Sequence, residues 1–210
     1  MRELGIAGVS GREGKRRRKK STVPETDAVT DLVRRDFAAD EPNQVWFADI
    51  TYVPTWEGWL FLAVVMDACT KRIVGWSMRD DLKSDIVVDA LGMATTVRRP
   101  GTGLVHHSDR GAQYRSLAFG RSLRDSGIVA SMGETGVPHD NAVTESVMAT
   151  IKKDCVHRHR FKTRDEARFA IFDYIEGFYN PHRRHSSLGN LSPAEFERRL
   201  GQRQPQAAAS

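Results

Sequence analysis

The sequence predicts an α/β fold: a mixed five-strand sheet flanked by helices, with a C-terminal helical extension. Three observations carry this expectation. Residues 45–78 hold three apolar runs separated by short turn-forming stretches, which reads as an antiparallel meander. From residue 84 helical and strand periods alternate, as in crossover connections within one sheet. Beyond residue 163 the apolar pattern is helical only.

In order along the chain, residues 45–53, 59–67 and 72–78 read as strands, joined at 55–58 and 68–71. Ser84 stands at the N-cap of a helix running to about residue 96. Ile86, Val87, Ala90, Leu91 and Ala94 share one face of it, and the breaker RRPG ends it. Residues 104–108 form a fourth strand. Ser116 opens a helix to residue 126, Gly127 stops it, and residues 128–132 form the fifth strand. A helix over residues 164–179 places Phe169, Ile171, Phe172, Ile175 and Phe178 on a broad apolar side. Pro193, after Ser192, suits the first turn of a short closing helix. The final GQRQPQAAAS reads as disordered.

Three acidic residues stand out from this frame. Asp49 interrupts the apolar run VWFADITYVP, and Asp109 closes a second one, LVHHSD. A carboxylate in a strand core is costly unless a cation or a set of donors satisfies it. Glu145 lies in a helical segment where Val143, Val147 and Ile151 mark one face and Asn141, Glu145, Met148 and Lys152 line another. Two carboxylates from sheet elements and one from a helix can converge on Mg2+, a hard cation that takes oxygen ligands. Asp67 is a fourth candidate of lower rank, because residues 68–72 read as a turn whose amides an Asp commonly bonds. The order of elements is that of an RNase H-like fold. Period and caps alone leave a flavodoxin-like alternative open, and the carboxylate positions favour the former.

The stretches NQVWFADITYV, FLAVVMDACTKRIVGW, HHSDRGAQYRS, DNAVTES and YIEGFYNPHRRHSSLGNLSPAEFE together resemble the catalytic domain of insertion-sequence transposases of the retroviral-integrase superfamily. The resemblance is to the group encoded in two overlapping frames, and it covers residues 43–200. Between Asp109 and Glu145 lie 35 residues, the spacing of the D,D(35)E signature. The resemblance implies that Asp49, Asp109 and Glu145 are the catalytic, metal-binding triad. It further implies two Mg2+ ions, with Mn2+ able to substitute, and DNA partners in the form of element ends and target. The reaction it implies is DNA nicking followed by strand transfer, with a homo-oligomer assembled on DNA as the expected form. Lys152, seven residues after Glu145, matches the place where these enzymes hold the DNA end with a lysine.

Composition bounds the function classes. The chain has 210 residues, 32 Lys and Arg against 27 Asp and Glu, and a net charge of +5, which suits a phosphate-rich partner. Its two cysteines, Cys69 and Cys155, are far apart and indicate neither a disulfide framework nor a zinc site. No apolar run approaches the ~20 residues that span a bilayer, so the expectation is a cytoplasmic protein without a membrane partner. Residues 1–42 form a basic arm and linker with six consecutive basic residues from Lys15 to Lys20. MRELGIAGVSGR resembles the last fragment of the family's upstream DNA-end-binding region. Residues 43–160 are the expected catalytic core, 161–200 its helical extension and 201–210 a tail.

Other residues near the triad carry expectations of their own. Asn141, one turn before Glu145, caps the helix or holds a phosphate. Arg183, Arg184 and His185 form a basic cluster beside Tyr179 that either reaches a phosphate backbone or caps the preceding helix. Residues 133–139, with two Gly and one Pro, read as a loop that is mobile until DNA binds. His106 and His107 read as structural residues or supports for ligands, and His182 with His185 is too isolated for zinc. An enzyme is the leading reading, and a catalytically incompetent remnant that only binds DNA or assembles is the alternative. A structure-selective nuclease shares the metal logic but leaves the C-terminal motif unexplained.

Overall fold

The computed structural model describes residues 29–33, 39–133 and 142–207. Its centre is a five-stranded sheet of order β3-β2-β1-β4-β5. The strands are β1 (Val45–Thr55), β2 (Gly58–Asp67), β3 (Ile73–Arg79), β4 (Val105–Ser108) and β5 (Val129–Met132). The two-residue link Trp56-Glu57 forces β1 and β2 antiparallel, and β3 follows antiparallel to β2. The chain reaches β4 only after helix α1 (Asp85–Arg98), long enough to return it parallel to β1; helix α2 (Leu117–Asp125) does the same between β4 and β5. The antiparallel half removes the flavodoxin-like alternative, whose sheet is mostly parallel.

Alternation along the strands builds a core on each face. Trp46, Ala48, Ala63 and Val65 pack with Ile86, Leu91, Phe119 and Leu123 of α1 and α2. Phe47, Val53, Leu62 and Val64 pack on the other side with Ile151 of helix α3 (Ala142–Asp154), Ile171 of helix α4 (Arg164–Phe172) and Ile175 beyond it. A Cβ added at Gly75 would lie 2.3 Å from the Ala90 carbonyl oxygen, so a glycine in β3 is what lets α1 sit this close to the sheet. Ser84 precedes α1 as expected, but its side chain makes no capping bond. Ser116 and Thr163 do cap α2 and α4, Thr163 through a reciprocal capping box with Glu166.

The C-terminal part departs from expectation in two ways. The helix from Arg164 changes into a π-helical stretch (Asp173–Tyr179) and then α5 (Asn180–His182). Its buried face is Ala167, Ile171, Ile175 and Tyr179, while Phe169, Phe172 and Phe178 are 73%, 46% and 46% exposed. Counted at ~3.6 residues per turn from Ala167, Phe169 and Phe172 already miss that face. The wider π turn then swings Phe178 outward and Tyr179 inward. The second departure is α6 (Pro193–Ala207), which carries residues 201–207 in helix where a disordered tail is expected. Glu197 in its first half pairs with Arg72 and Arg98, and a nucleus fixed in this way extends cheaply into the Gln- and Arg-containing turns that follow. Asn180 locks the extension onto the sheet: its Oδ1 accepts from Ile73 N and its Nδ2 donates to Ile73 O, both at 3.0 Å.

Candidate active site

β1 and β4 pair only over Val45–Phe47 and Val105–His107, so a cleft opens past the carboxyl end of β4, beside the part of β1 that runs on alone on that side. Asp49 lies on β1 just past the pairing, and Asp109 follows the last residue of β4. Both line one cavity of about 200 Å3, shared with Thr51, Tyr52, Gln113 and Tyr114. Asp49 Oδ1 accepts a hydrogen bond from Ile50 N at 2.8 Å, and Asp109 Oδ1 accepts one from Gly111 N at 2.9 Å. A Cβ at Gly111 would stand 2.9 Å from that Asp109 oxygen, which explains a glycine two residues after the aspartate.

The electrostatics of this cleft ask for a cation. The Asp49 carboxyl is pushed up to about 6, chiefly by burial and in smaller part by the charges of Asp109 and Glu145, against the opposing Ile50 hydrogen bond and the charge of Lys152. Glu145, in the first turn of α3, therefore stands near enough for its charge to be felt at Asp49, although it does not line the cavity itself. Among the described residues no group of three His, Cys, Asp or Glu side chains is drawn together as a ready metal cluster. The donor set, three carboxylates with the most buried one raised in pKa chiefly by burial and further by the other two, nonetheless has the chemistry of a hard divalent cation site.

Helix α3 presents Glu145 to solvent, but the face it shares is narrower than the sequence suggests. Thr144, Val147, Met148 and Ile151 are all buried. Met148 therefore belongs to the core, not to the polar face with Glu145 and Lys152. Lys152 is half-buried, with Nζ 4.8 Å from the centre of the Tyr52 ring. Asn141 and residues 134–140 of the preceding loop lie outside the described residues, as do residues 1–28 of the basic arm.

The basic cluster after α5 divides. Arg183 is turned inward, with Nη1 3.3 Å from Asp154 Oδ2 and its guanidinium 6.0 Å from the Tyr179 ring. His185 is half-buried against the same ring, at 5.3 Å, and its backbone bridges to Leu191. Burial lowers its imidazole to about 4. Arg184 is the exposed member.

The remaining candidates settle into the fold. Asp67 is fully buried and organises the turn: Oδ1 accepts from Thr70 N and Oγ1, and Oδ2 accepts from Asn43 N. His107 Nδ1 lies 2.9 Å from Ser131 Oγ, and His106 packs against Phe119 and Tyr114. Both cysteines are buried, with thiols pushed up to about 11 chiefly by burial, so neither supplies a thiolate nucleophile. Sequence reasoning missed Tyr114, Gln113 and Tyr52 as lining of the cavity. Tyr114 and Gln113 stand in the same DRGAQY stretch as Asp109, and that adjacency was the available signal.

Two family models, each described as Integrase core domain, match residues 39–138 and 126–193. The chain belongs to the integrase core family of insertion-sequence transposases. An uncharacterized 31 kDa protein of insertion element IS600 from Shigella sonnei is 46% identical over 171 residues, covering 81% of this chain and 63% of that protein. The transposase for insertion sequence element IS629 from Shigella sonnei is 40% identical over 200 residues, 94% of this chain and 65% of its own length. The integrase core chain thus spans less than two thirds of either relative. Among solved structures, the HTLV-2 integrase catalytic core domain in complex with magnesium has the same fold, with a TM-score of 0.51 at 17% identity over 76% of this chain and 98% of that one. A simian T-cell lymphotropic virus intasome chain gives 0.58 at 15% identity, over 74% of this chain and 54% of its own. Among the described residues no helix is long and apolar enough to cross a membrane.

Proposed function

We propose that this integrase core carries out metal-dependent nicking and strand transfer at DNA phosphodiesters in the transposition of an insertion sequence, with residues 43–160 as the catalytic core and 161–200 as its brace. The observation that carries the reading is that Asp49, within β1, and Asp109, just past the end of the adjacent parallel β4, share one cavity within electrostatic reach of Glu145. These three carboxylates would hold two divalent ions, Mg2+ or Mn2+. When bound, such ions stabilise charge on phosphate oxygens and activate a water or a DNA 3'-hydroxyl. Asp49 on β1 and Asp109 just after β4 would hold those ions at a fixed place beside the rigid sheet, and the buried walls of Thr51 and Tyr114 limit water there.

Lys152 and Arg184 contact phosphates beside the site, and Asn141 does so at the start of α3. Arg183 and His185 serve by fixing the turn that displays Arg184. No protein nucleophile is used, in keeping with the buried, high-pKa cysteines. DNA is the partner, in a homo-oligomer assembled on it, and the cytoplasm is the compartment. A version extended to the length of its transposase relatives, given labelled element-end duplex and Mg2+, should join that end to target DNA and stop in EDTA. Equal joining in EDTA removes the reading. Calorimetric titration of Mg2+ into the present chain supplies a readout independent of activity.

A further inference from the structure

We propose that the β1–β2 hairpin carries a stacking platform for unpaired bases of a DNA single strand, formed by Tyr52 and Trp59 and extended by Trp56, and continuous with the aspartate cavity. The inference rests on the DNA-processing reading of that cavity and adds what the strand meets beside it. Tyr52, Trp56 and Trp59 are 55%, 74% and 52% exposed, three of the largest apolar side chains in the protein gathered on one hairpin. Exposed aromatic groups at this density mark an interaction surface.

The register explains how the rings meet. Trp59 pairs with Pro54, which points to the same side of the sheet as Tyr52 two residues earlier, so the indole lies diagonally against the phenol at 5.1 Å with the planes 78° apart. Farther back on this side, Trp46, Ala48, Ala63 and Val65 are buried in the core shared with α1 and α2, while Tyr52 and Trp59 remain exposed.

Charge selects the occupant. Lys152 Nζ stands 4.8 Å from the Tyr52 ring centre and Lys162 Nζ 6.0 Å from that of Trp56. Arg164 lies along the hairpin and donates to Trp59 O at 3.1 Å. The one acid of the hairpin tip, Glu57, is turned to Arg164 N at 2.9 Å. Each of these lysines lies over one face of its ring, so a base would stack on a ring's other face while the cation beside it neutralises a phosphate of the same strand. A second copy meeting this patch through a two-fold axis would set lysines against lysines. A duplex hides its base faces, so the fitting ligand is unpaired. Tyr52 also lines the cavity that holds Asp49 and Asp109, which makes platform and site one surface.

The test uses the full chain in EDTA and fluorescence anisotropy with a labelled thymidine strand of about 12 nucleotides, an abasic strand of equal length and a duplex. The expected result is a preference of about tenfold for thymidine over abasic strand. Tyr52→Ser and Trp59→Ser should each cut that preference several-fold, with abasic-strand affinity and melting temperature near the parent's. Equal binding of the two strands by the parent overturns the platform, as does a preference that survives both variants. A dimer seen by sedimentation that Trp59→Ser dissolves, without base preference, assigns the patch to a second copy and also overturns it. Asp109→Asn in the extended protein separates the two readings. Loss of joining there with no base preference in the parent rejects the platform alone, whereas base preference with joining intact in Asp109→Asn rejects the cavity reading alone.

Discussion

The guanidinium of Arg183 reaches Asp154 at 3.3 Å and so ties the turn after α5 to the last residue of α3, the helix that carries Glu145 in its first turn. Tyr174 adds its hydroxyl to the same carboxylate oxygen at 3.2 Å, and Arg183 Nη2 reaches Thr150 Oγ1 at 3.3 Å. A sequence motif that reads as three equivalent basic residues is therefore one brace, one packed imidazole and one exposed cation. Arg183→Ala is expected to lower stability by ~1–2 kcal/mol, because the partly buried Asp154 loses its charged partner. Arg184→Ala should leave stability within ~0.5 kcal/mol and weaken DNA binding. Urea melts and anisotropy titrations of the two variants check this, and an equal loss of DNA affinity from both with no stability difference contradicts it.

Asp49→Asn separates metal binding from folding. With its carboxyl raised to about 6, the native protein holds a proton that the unfolded chain has released at ~3.9, so this group's contribution to stability falls as pH rises between those values. At neutral pH without divalent ions, removing the charge should stabilise the protein by ~1–2 kcal/mol. In Mg2+ the parent's melting temperature should rise and the variant's should not. Asp109→Asn and Glu145→Gln are expected to lose the same Mg2+ response, and all three to abolish joining by the extended protein. An unchanged Mg2+ shift in any one of them takes that residue out of the site.

Lys152→Ala should cut strand transfer and lower the salt slope of DNA binding by about one counterion. Its effect on melting should be small, since a single cation–π contact at a partly exposed site contributes ~0.5–1 kcal/mol. Lys152→Arg keeps the charge and should restore much of the binding. Parent-level joining by the alanine variant excludes a role at the DNA end.

His106 gives the fold an acid limit. Burial lowers its imidazole to about 4, with its Nε2 unpartnered among the described residues. The unfolded chain takes up the proton at ~6.5, so stability from this group is full above that pH and is lost as pH falls toward 4, on the order of 3 kcal/mol in total. His185 acts in the same direction, whereas Asp49 acts in the opposite one. The measurement is therefore a difference: the stability of His106→Phe minus that of the parent should grow steadily from pH 7 to pH 4. A flat difference would show that His106 titrates normally.

Strand positions, the order of elements and the three carboxylates were legible because each depends on local chemistry. Alternating apolar residues, two-residue turns and cap residues act within a few positions, and Asp49 is conspicuous because a charge in VWFADITYVP has no apolar reason to be there. What the sequence by itself determined was therefore the list of elements and the set of acids. Tertiary structure decided which side chains share space. The short pairing of β4 with β1 opens the cleft, and the adjacency of those parallel strands brings Asp49 and Asp109 into one cavity with Tyr114. The π turn after Phe172 reassigns the buried face of the long helix, and α3's packing draws Met148 inward. Asp154, 29 positions before Arg183, claims a guanidinium that local reading offers to DNA. Such partners are invisible to periodicity, because burial and ion pairing are set by whichever surface the rest of the chain brings near.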